Sequence, residues 1–346
     1  MFVLILTLLG ISFLILAHEA GHFFVARKCG MKVDEFGFGL PPKIFGIKKG
    51  ETTYSINLLP FGGFVKIAGE NDNLSDSNQN EKISIEDKKR LFYYQRPRNK
   101  ALVTIAGIVV NFLIGWILIS SVIAIGKPFS IIITDVLKDS PAAAAGLQKN
   151  DLILGYQNEE DLKKFISLNP NKEVVFKIQR NGKVKDITLK IGEKNNQGFL
   201  GIYFVGGEIK KQRIDKAFYQ GFLTSLNIFK MNAYGLYYLF SNLFTQGKLI
   251  EGVVGPVGII SFSKQVGEIS LVYLLNLLGI ISVSLAFINL IPFPALDGGR
   301  LLFILIEKIK GKALSHKVEA VANTIGFALL LLLIIAVTFR DVKGLF

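Results

Sequence analysis

Long uninterrupted apolar segments are the most prominent pattern in this chain. A membrane-spanning helix needs about 20 predominantly apolar residues. Four segments meet that length with few or no charges, and they predict transmembrane helices at 1–27, 101–126, 270–296 and 320–339. The first carries one acidic residue, Glu19, and has no basic amino-terminal region. We therefore interpret it as a retained helix and not as a signal peptide.

The segments between these helices follow other patterns. Residues 30–70 alternate apolar and polar positions and are rich in Gly and Pro, which predicts a β element that lies against or dips into the bilayer. Residues 71–100 predict a polar cytoplasmic linker. Short strand patterns with a helix or two predict a compact α+β domain over 127–206.

Residues 213–250 are the ambiguous segment. They are apolar enough to suggest a fifth span, but they also contain many Tyr, Asn, Ser, Thr and Gln residues. We predict an amphipathic helix on the outer membrane surface. A fifth span would place Asp297 on the side of the membrane opposite the histidines of the first helix, which the chemistry described below does not allow.

Composition agrees with a membrane protein and excludes several other classes. Of 346 residues, 50% are hydrophobic and 19% charged, with a mean hydropathy of +0.43 and one cysteine. These values exclude a disordered chain, a collagen-like chain and a disulfide scaffold. The net charge of +13 comes largely from basic residues at helix ends. No basic stripe with interleaved aromatic residues indicates nucleic-acid binding.

The basic flanks also predict the topology. Lys and Arg concentrate after helix 1, before helix 2, and between helices 3 and 4, so these loops should be cytoplasmic. Both termini and the domain over 127–206 should then be extracytoplasmic. The predicted fold is a polytopic α-helical membrane protein with four transmembrane helices, a membrane-associated β element and one extracytoplasmic α+β domain.

The sharpest chemical signal is the sequence HEAGH at 18–22 in the first helix. Residues i and i+4 share one helix face, so His18 and His22 can reach one Zn²⁺ while Glu19 reaches a water on it. Two of the chain's three histidines lie here. Ionisable residues inside a membrane are costly and usually functional. A structural pair of core histidines is the alternative.

A catalytic zinc site needs a third protein ligand, and Asp297 is the candidate. It follows the sequence NLIPFPAL at the end of the third predicted helix, in the same leaflet as His22 if the chain crosses once and returns once. Pro292 and Pro294 interrupt that helix and permit an extended turn that aims a carboxylate sideways. A simple helix cap is the other interpretation of Asp297.

These two motifs, in this order, resemble those of the site-2 protease family of intramembrane zinc metalloproteases, particularly its bacterial regulator-of-sigma-E protease branch. The resemblance covers nearly the whole chain. It implies one zinc ion held by His18, His22 and Asp297, with Glu19 as general base. It also implies that Asn289 and Pro294 help to hold substrate.

Further motifs extend the resemblance. The stretches FGFG at 36–39 and LPFGGFVK at 59–66 resemble the family's membrane-reentrant β element, which implies substrate binding near Gly62 and Gly63. An exposed strand edge suits pairing with an extended peptide, and a structural cover over the site is the alternative. One departure is Ile108, which stands where relatives usually have Pro, in a segment that keeps Asn111.

Residues 139–151 and 198–202 resemble a PDZ domain, and there is room for only one. The resemblance implies a carboxylate-binding loop at Gly198, Phe199, Leu200 and Gly201. The domain would capture peptides or act as a size filter against uncleaved substrates.

Three functional hypotheses follow. The leading one is an intramembrane metalloendopeptidase in the bacterial inner membrane, with its active site near the cytoplasmic leaflet. Its substrates would be single-span proteins, such as anti-sigma factors or remnant signal peptides, already cut by an upstream site-1 protease. The second is a catalytically silent PDZ-bearing membrane adaptor, which has no need for Glu19. The third, a metal transporter, needs ligands along a path across the bilayer.

Overall fold

The computed structural model describes residues 2–70, 85–156, 158–180, 183–246, 255–312 and 315–343. Two predicted segments extend furthest outside the described residues. These are the linker 71–100, which is described from residue 85, and the surface helix 213–250, which is described up to residue 246.

Ten α-helices occur in the described residues: α1 (Phe2–Lys28), α2 (Ile85–Arg90), α3 (Pro97–Ile125), α4 (Pro141–Ala144), α5 (Glu159–Ser167), α6 (Ile214–Gln246), α7 (Pro256–Ile269), α8 (Leu271–Leu290), α9 (Asp297–Lys310) and α10 (His316–Lys343). The strands of the same residues are β1 (Val33–Lys49), β2 (Thr52–Ile67), β3 (Lys127–Val136), β4 (Leu152–Ile153), β5 (Glu173–Arg180), β6 (Lys183–Lys190), β7 (Gly192–Lys194), β8 (Gln197–Phe199) and β9 (Ile202–Ile209).

Four of the described helices, α1, α3, α8 and α10, are long and apolar enough to cross a membrane. They correspond to the four predicted spans, so the chain is a polytopic membrane protein. Helix α8 ends at Leu290, earlier than the predicted 296. The physical reason is that Pro292 and Pro294 lack the N–H groups that would continue the helical hydrogen bonds.

The chain divides into two compact units. The first comprises Met1–Leu118, Phe222–Ser261 and Leu278–Phe346, and the second comprises Ile119–Gly221 and Phe262–Leu277. In the first unit the helices approach one another at glycines. A Cβ atom on Gly21 would lie 2.8 Å from the carbonyl oxygen of Ala106, and one on Gly115 would lie 2.9 Å from that of Gly279. Small residues at such crossings let membrane helices pack backbone to backbone.

The β element of the first unit is a sheet made by β1 and β2 folding on each other. Residues 35–38 pair on one side with 63–66 and on the other with 53–56, while 43–49 pair with 52–57. Among the described residues, 63–67 have a registered partner on one side only. This segment is therefore an edge of the sheet. Its base packs on α1 through a buried apolar cluster that includes Phe23, Val33 and Ile67.

The second unit contains a five-stranded antiparallel sheet of order β6-β5-β4-β3-β9. Short strands therefore make up much of the region over 127–206, as its pattern predicts, although β4 is only two residues long. Helix α5 closes the core with Leu162 and Ile166, against Phe176. The assignment of this unit as a PDZ domain, and its extracytoplasmic placement, stay predictions.

Helix α6, the ambiguous segment, has 33 residues but is not among the four helices that are both long and apolar enough to cross a membrane. Within the first unit it packs along α3 and α8. The Phe222 ring lies 6.1 Å from that of Phe112, and the Asn232 amide donates to Ser284 Oγ at 3.0 Å. The described part of α6 therefore lies beside two membrane helices, and its position on the membrane surface stays a prediction.

Candidate metal centre

The two histidines of α1 lie side by side, as their i, i+4 spacing predicts. Both side chains are buried, and their Nε2 atoms are 3.1 Å apart. Asp297, the first residue of α9, brings its Oδ2 atom to 3.0 Å from His18 Nε2 and 3.4 Å from His22 Nε2. The two sequence motifs, separated by most of the chain, thus meet at one point.

The resulting triangle of atoms fits a zinc ion. Tetrahedral ligands about 2.0–2.1 Å from a zinc ion lie roughly 3.3 Å from one another, close to the observed separations. Asp297 Oδ2 is buried and lacks a hydrogen-bond partner of good geometry. Two imidazoles and one carboxylate also form a typical catalytic donor set, because they leave a fourth position open.

His22 is held in the orientation that a metal ligand needs. Its Nδ1 atom lies 2.7 Å from the carbonyl oxygen of Val103 on α3. A carbonyl can only accept, so Nδ1 carries the proton and the lone pair of Nε2 faces His18 and Asp297. A carbonyl that accepts from the second ring nitrogen in this way fixes the tautomer of a metal-binding histidine.

Asn111 contacts the Nδ1 atom of His18, as Val103 contacts that of His22. Its side-chain amide lies 3.3 Å from His18 Nδ1, and its Oδ1 atom is buried without a partner. A half-turn of the amide places Oδ1 where it accepts from a protonated Nδ1. The Ser282 hydroxyl donates to the main-chain carbonyl of Asn111 at 2.7 Å, which ties this part of α3 to α8.

Gly107 makes room for the two imidazoles. A Cβ atom at this position would collide with His22 Nε2 and would lie 2.7 Å from His18 Cε1. We expect Gly107→Ala to destabilise the fold by about 1–3 kcal/mol through overpacking and to lower zinc occupancy, measured by thermal unfolding and metal analysis in detergent. Gly235→Ala on α6 is the matched control, since nothing lies within 4 Å of its Cβ position. Equal effects of the two variants would contradict this account.

Glu19 lies beside the triangle, next to the sheet edge. Its Oε2 atom accepts a hydrogen bond from the main-chain N–H of Val65 at 3.1 Å. This bond uses one oxygen of the carboxylate and fixes the orientation of the group. The predicted substrate-binding glycines are close by: a Cβ on Gly63 would lie 3.8 Å from Glu19 Cγ, and one on Gly62 would lie 3.6 Å from Ile15.

The other predicted substrate-binding residues flank Asp297 along the chain. Asn289 is half-buried in the last turn of α8, and Pro294 lies in the turn between α8 and α9. A role in holding substrate stays a prediction for both, as it does for Gly62 and Gly63.

The predicted peptide-binding loop belongs to the second unit. Gly198 and Phe199 lie in β8, Leu200 is buried in the core, and Gly201 has a positive φ of 76°. The Leu200 carbonyl accepts from Ala142 N at 3.1 Å. Part of this backbone is therefore used inside the unit, and peptide binding by the loop stays a prediction.

Sequence reasoning assigned no role to four residues that complete the site: Val65, Val103, Gly107 and Asn111. Two of them act through main-chain atoms, which leave no trace in residue type. Gly107 and Asn111 share a short segment with Ile108, and their four-residue spacing on one face of α3 is the signal that could have identified them.

Comparisons with known proteins identify the family of this chain. The sequence pattern of peptidase family M50 matches residues 6–333. A Clostridium perfringens protein named as a zinc metalloprotease is 34% identical, over 98% of both chains. The zinc metalloprotease RasP of Geobacillus kaustophilus and the regulator of sigma-W protease RasP of Bacillus subtilis are each 28% identical, over 96% of both chains. This chain belongs to peptidase family M50, the site-2 protease family of zinc metalloproteases.

Proposed function

We propose that this metalloprotease hydrolyses peptide bonds within the transmembrane segments of single-span membrane proteins, with zinc held by His18, His22 and Asp297. The observation that carries the proposal is the buried triangle of two imidazole nitrogens and one carboxylate oxygen, 3.0–3.4 Å apart, with Glu19 on the same helix. Such a site is costly inside a membrane protein unless it has a function there.

Each residue has a defined part in this proposal. Bound zinc supplies Lewis acidity to the scissile carbonyl and to water. Glu19 Oε1 takes the proton from the attacking water and later delivers it to the leaving amine nitrogen. Val65 N–H holds the other carboxylate oxygen, so the base keeps one orientation. Val103 and Asn111 keep the Nδ1 protons of the two histidines in place.

The proposal includes a topology and a substrate class. Basic residues at helix ends support cytoplasmic loops between helices 1 and 2 and between helices 3 and 4. The site would then lie near the cytoplasmic leaflet of a bacterial inner membrane. Substrates would be anti-sigma factors or remnant signal peptides, cut first by a site-1 protease, with the second unit acting as a PDZ-like filter.

The direct test is cleavage of tagged single-span proteins by the purified full-length chain in detergent, with the cut mapped by mass spectrometry. We expect cuts within the span, loss of cleavage after treatment with a zinc chelator, and recovery on adding zinc. Cuts confined to soluble flanks would overturn the proposal. Zinc binding without cleavage of any substrate in a panel would instead favour the membrane adaptor.

A further inference from the structure

The turn that precedes Asp297 is strained and compact. Ala295 has a φ of 72°, which residues with a Cβ atom rarely adopt. Inside the turn, Phe293 N donates to the Ile291 carbonyl at 2.7 Å and Leu296 N donates to that of Phe293 at 3.1 Å. Strained backbone persists only where its surroundings hold it.

The same turn packs directly on the start of α9. A Cβ on Gly298 would collide with the carbonyl oxygen of Ile291, and one on Gly299 would collide with that of Phe293. Residues 291–299 therefore behave as one packed body. A displacement of the turn would carry the Asp297 carboxylate with it.

Helix α10 contacts residues 291–299 through a hydrogen bond from the turn to Asn323. The Asn323 Oδ1 atom accepts a hydrogen bond from the main-chain N–H of Ala295 at 3.0 Å. Asn323 lies within the apolar stretch that is long enough to cross the membrane. Asn323 is half-buried and also lines a cavity with the polar side chains of Lys100, Arg300 and Glu319.

A second contact on the same helix face reinforces the first. Gly326 follows Asn323 by three residues, a spacing that places both on one face. It is buried, and a Cβ there would lie 2.5 Å from the Pro294 carbonyl oxygen and 2.8 Å from its Cβ atom. The backbone of α10 therefore rests on Pro294, while the Asn323 side chain holds Ala295.

We propose that Asn323 is a positioning residue for the metal centre. By holding Ala295 in its strained conformation, Asn323 fixes the direction of Asp297, two residues further along the chain. The inference rests on the proposed role of Asp297 as a zinc ligand. Most of α10 is exposed, including Ile325, Phe327 and Leu329. The Asn323 and Gly326 face thus links an otherwise peripheral helix to the metal ligand.

The test is the zinc dissociation constant of purified full-length variants, measured by chelator competition. Asn323→Leu has the same number of side-chain heavy atoms but no acceptor, and we expect it to weaken zinc binding about 10- to 100-fold, the size of effect seen when a residue that supports a metal ligand is lost. Asn323→Asp keeps the acceptor oxygen and should stay within about threefold of wild type. Asn323→Ala, which adds no bulk, is the second variant if Asn323→Leu fails to fold.

Thr324→Val is the matched control, because the Thr324 hydroxyl donates to Ala320 within its own helix at 2.8 Å. It should leave zinc affinity unchanged. Folded Asn323→Leu and Asn323→Ala proteins with wild-type zinc affinity would overturn the inference, as would equal loss of affinity in Asn323→Asp. Asp297→Ala separates the two proposals. If Asp297→Ala retains zinc, the assignment of Asp297 as a ligand is wrong. If Asp297→Ala loses zinc while the Asn323 variants keep it, only the positioning role of Asn323 is wrong.

Discussion

Glu19→Gln is expected to abolish proteolysis while leaving zinc bound. The amide of Gln cannot take a proton from water at neutral pH, so the general-base contribution is lost. Such contributions are about 10²–10⁴-fold in rate. Gln keeps a carbonyl oxygen that can still accept from Val65 N–H, so the local structure should persist. The measurement is the single-turnover cleavage rate of a single-span substrate, alongside the zinc content of the same preparation.

Glu51→Gln is a suitable control for this substitution. Glu51 lies at the surface and pairs with Arg90, and exposed ion pairs contribute little. Its activity should match wild type. Glu19→Gln protein that holds zinc and cleaves at the wild-type rate would mean that another group is the base. If the Glu19→Gln protein loses its zinc, Glu19 also contributes to zinc binding.

Asp297→Ala is expected to raise the zinc dissociation constant by roughly 10²–10³-fold. Zinc sites contribute about 10–16 kcal/mol with four ligands, which is several kcal/mol for each ligand. The two histidines would remain, but two imidazoles alone hold zinc weakly at neutral pH. Chelator competition measures the constant directly, and cleavage should fall in parallel at limiting zinc.

Asp341→Ala controls for the loss of a buried aspartate elsewhere on a membrane helix. Asp341 Oδ2 accepts from Gly258 N at 2.9 Å near the end of α10. We expect this variant to lose thermal stability but to bind zinc as wild type does. If Asp297→Ala and Asp341→Ala lower zinc affinity equally, the effect comes from general destabilisation and Asp297 is not a ligand.

The sequence was sufficient to predict the features that depend on periodicity. Apolar length gave four spans, and the i, i+4 spacing placed His18 and His22 on one face of a helix. The requirement for a third ligand in the same leaflet pointed to Asp297. Each inference uses residue type and local spacing, which the chain displays directly.

Other features depend on pairings between distant segments and could not be predicted. The contact of Val103 with His22 uses a carbonyl that every residue has. The sheet made by β1 and β2 has shifted registers that alternation alone does not specify. Helix α6 carries both apolar and polar residues, so only its packing on α3 and α8 shows which side chains face protein.

The contacts from Val65 and Val103 have a consequence for how this site tolerates mutation. Both residues contact side chains of the proposed site through main-chain atoms: an N–H for Glu19 and a carbonyl for His22. Any residue except proline has the main-chain N–H that Glu19 needs, and any residue compatible with the helix has the carbonyl that contacts His22. Substitutions at positions 65 and 103 that preserve the local packing are therefore expected to leave these two contacts intact.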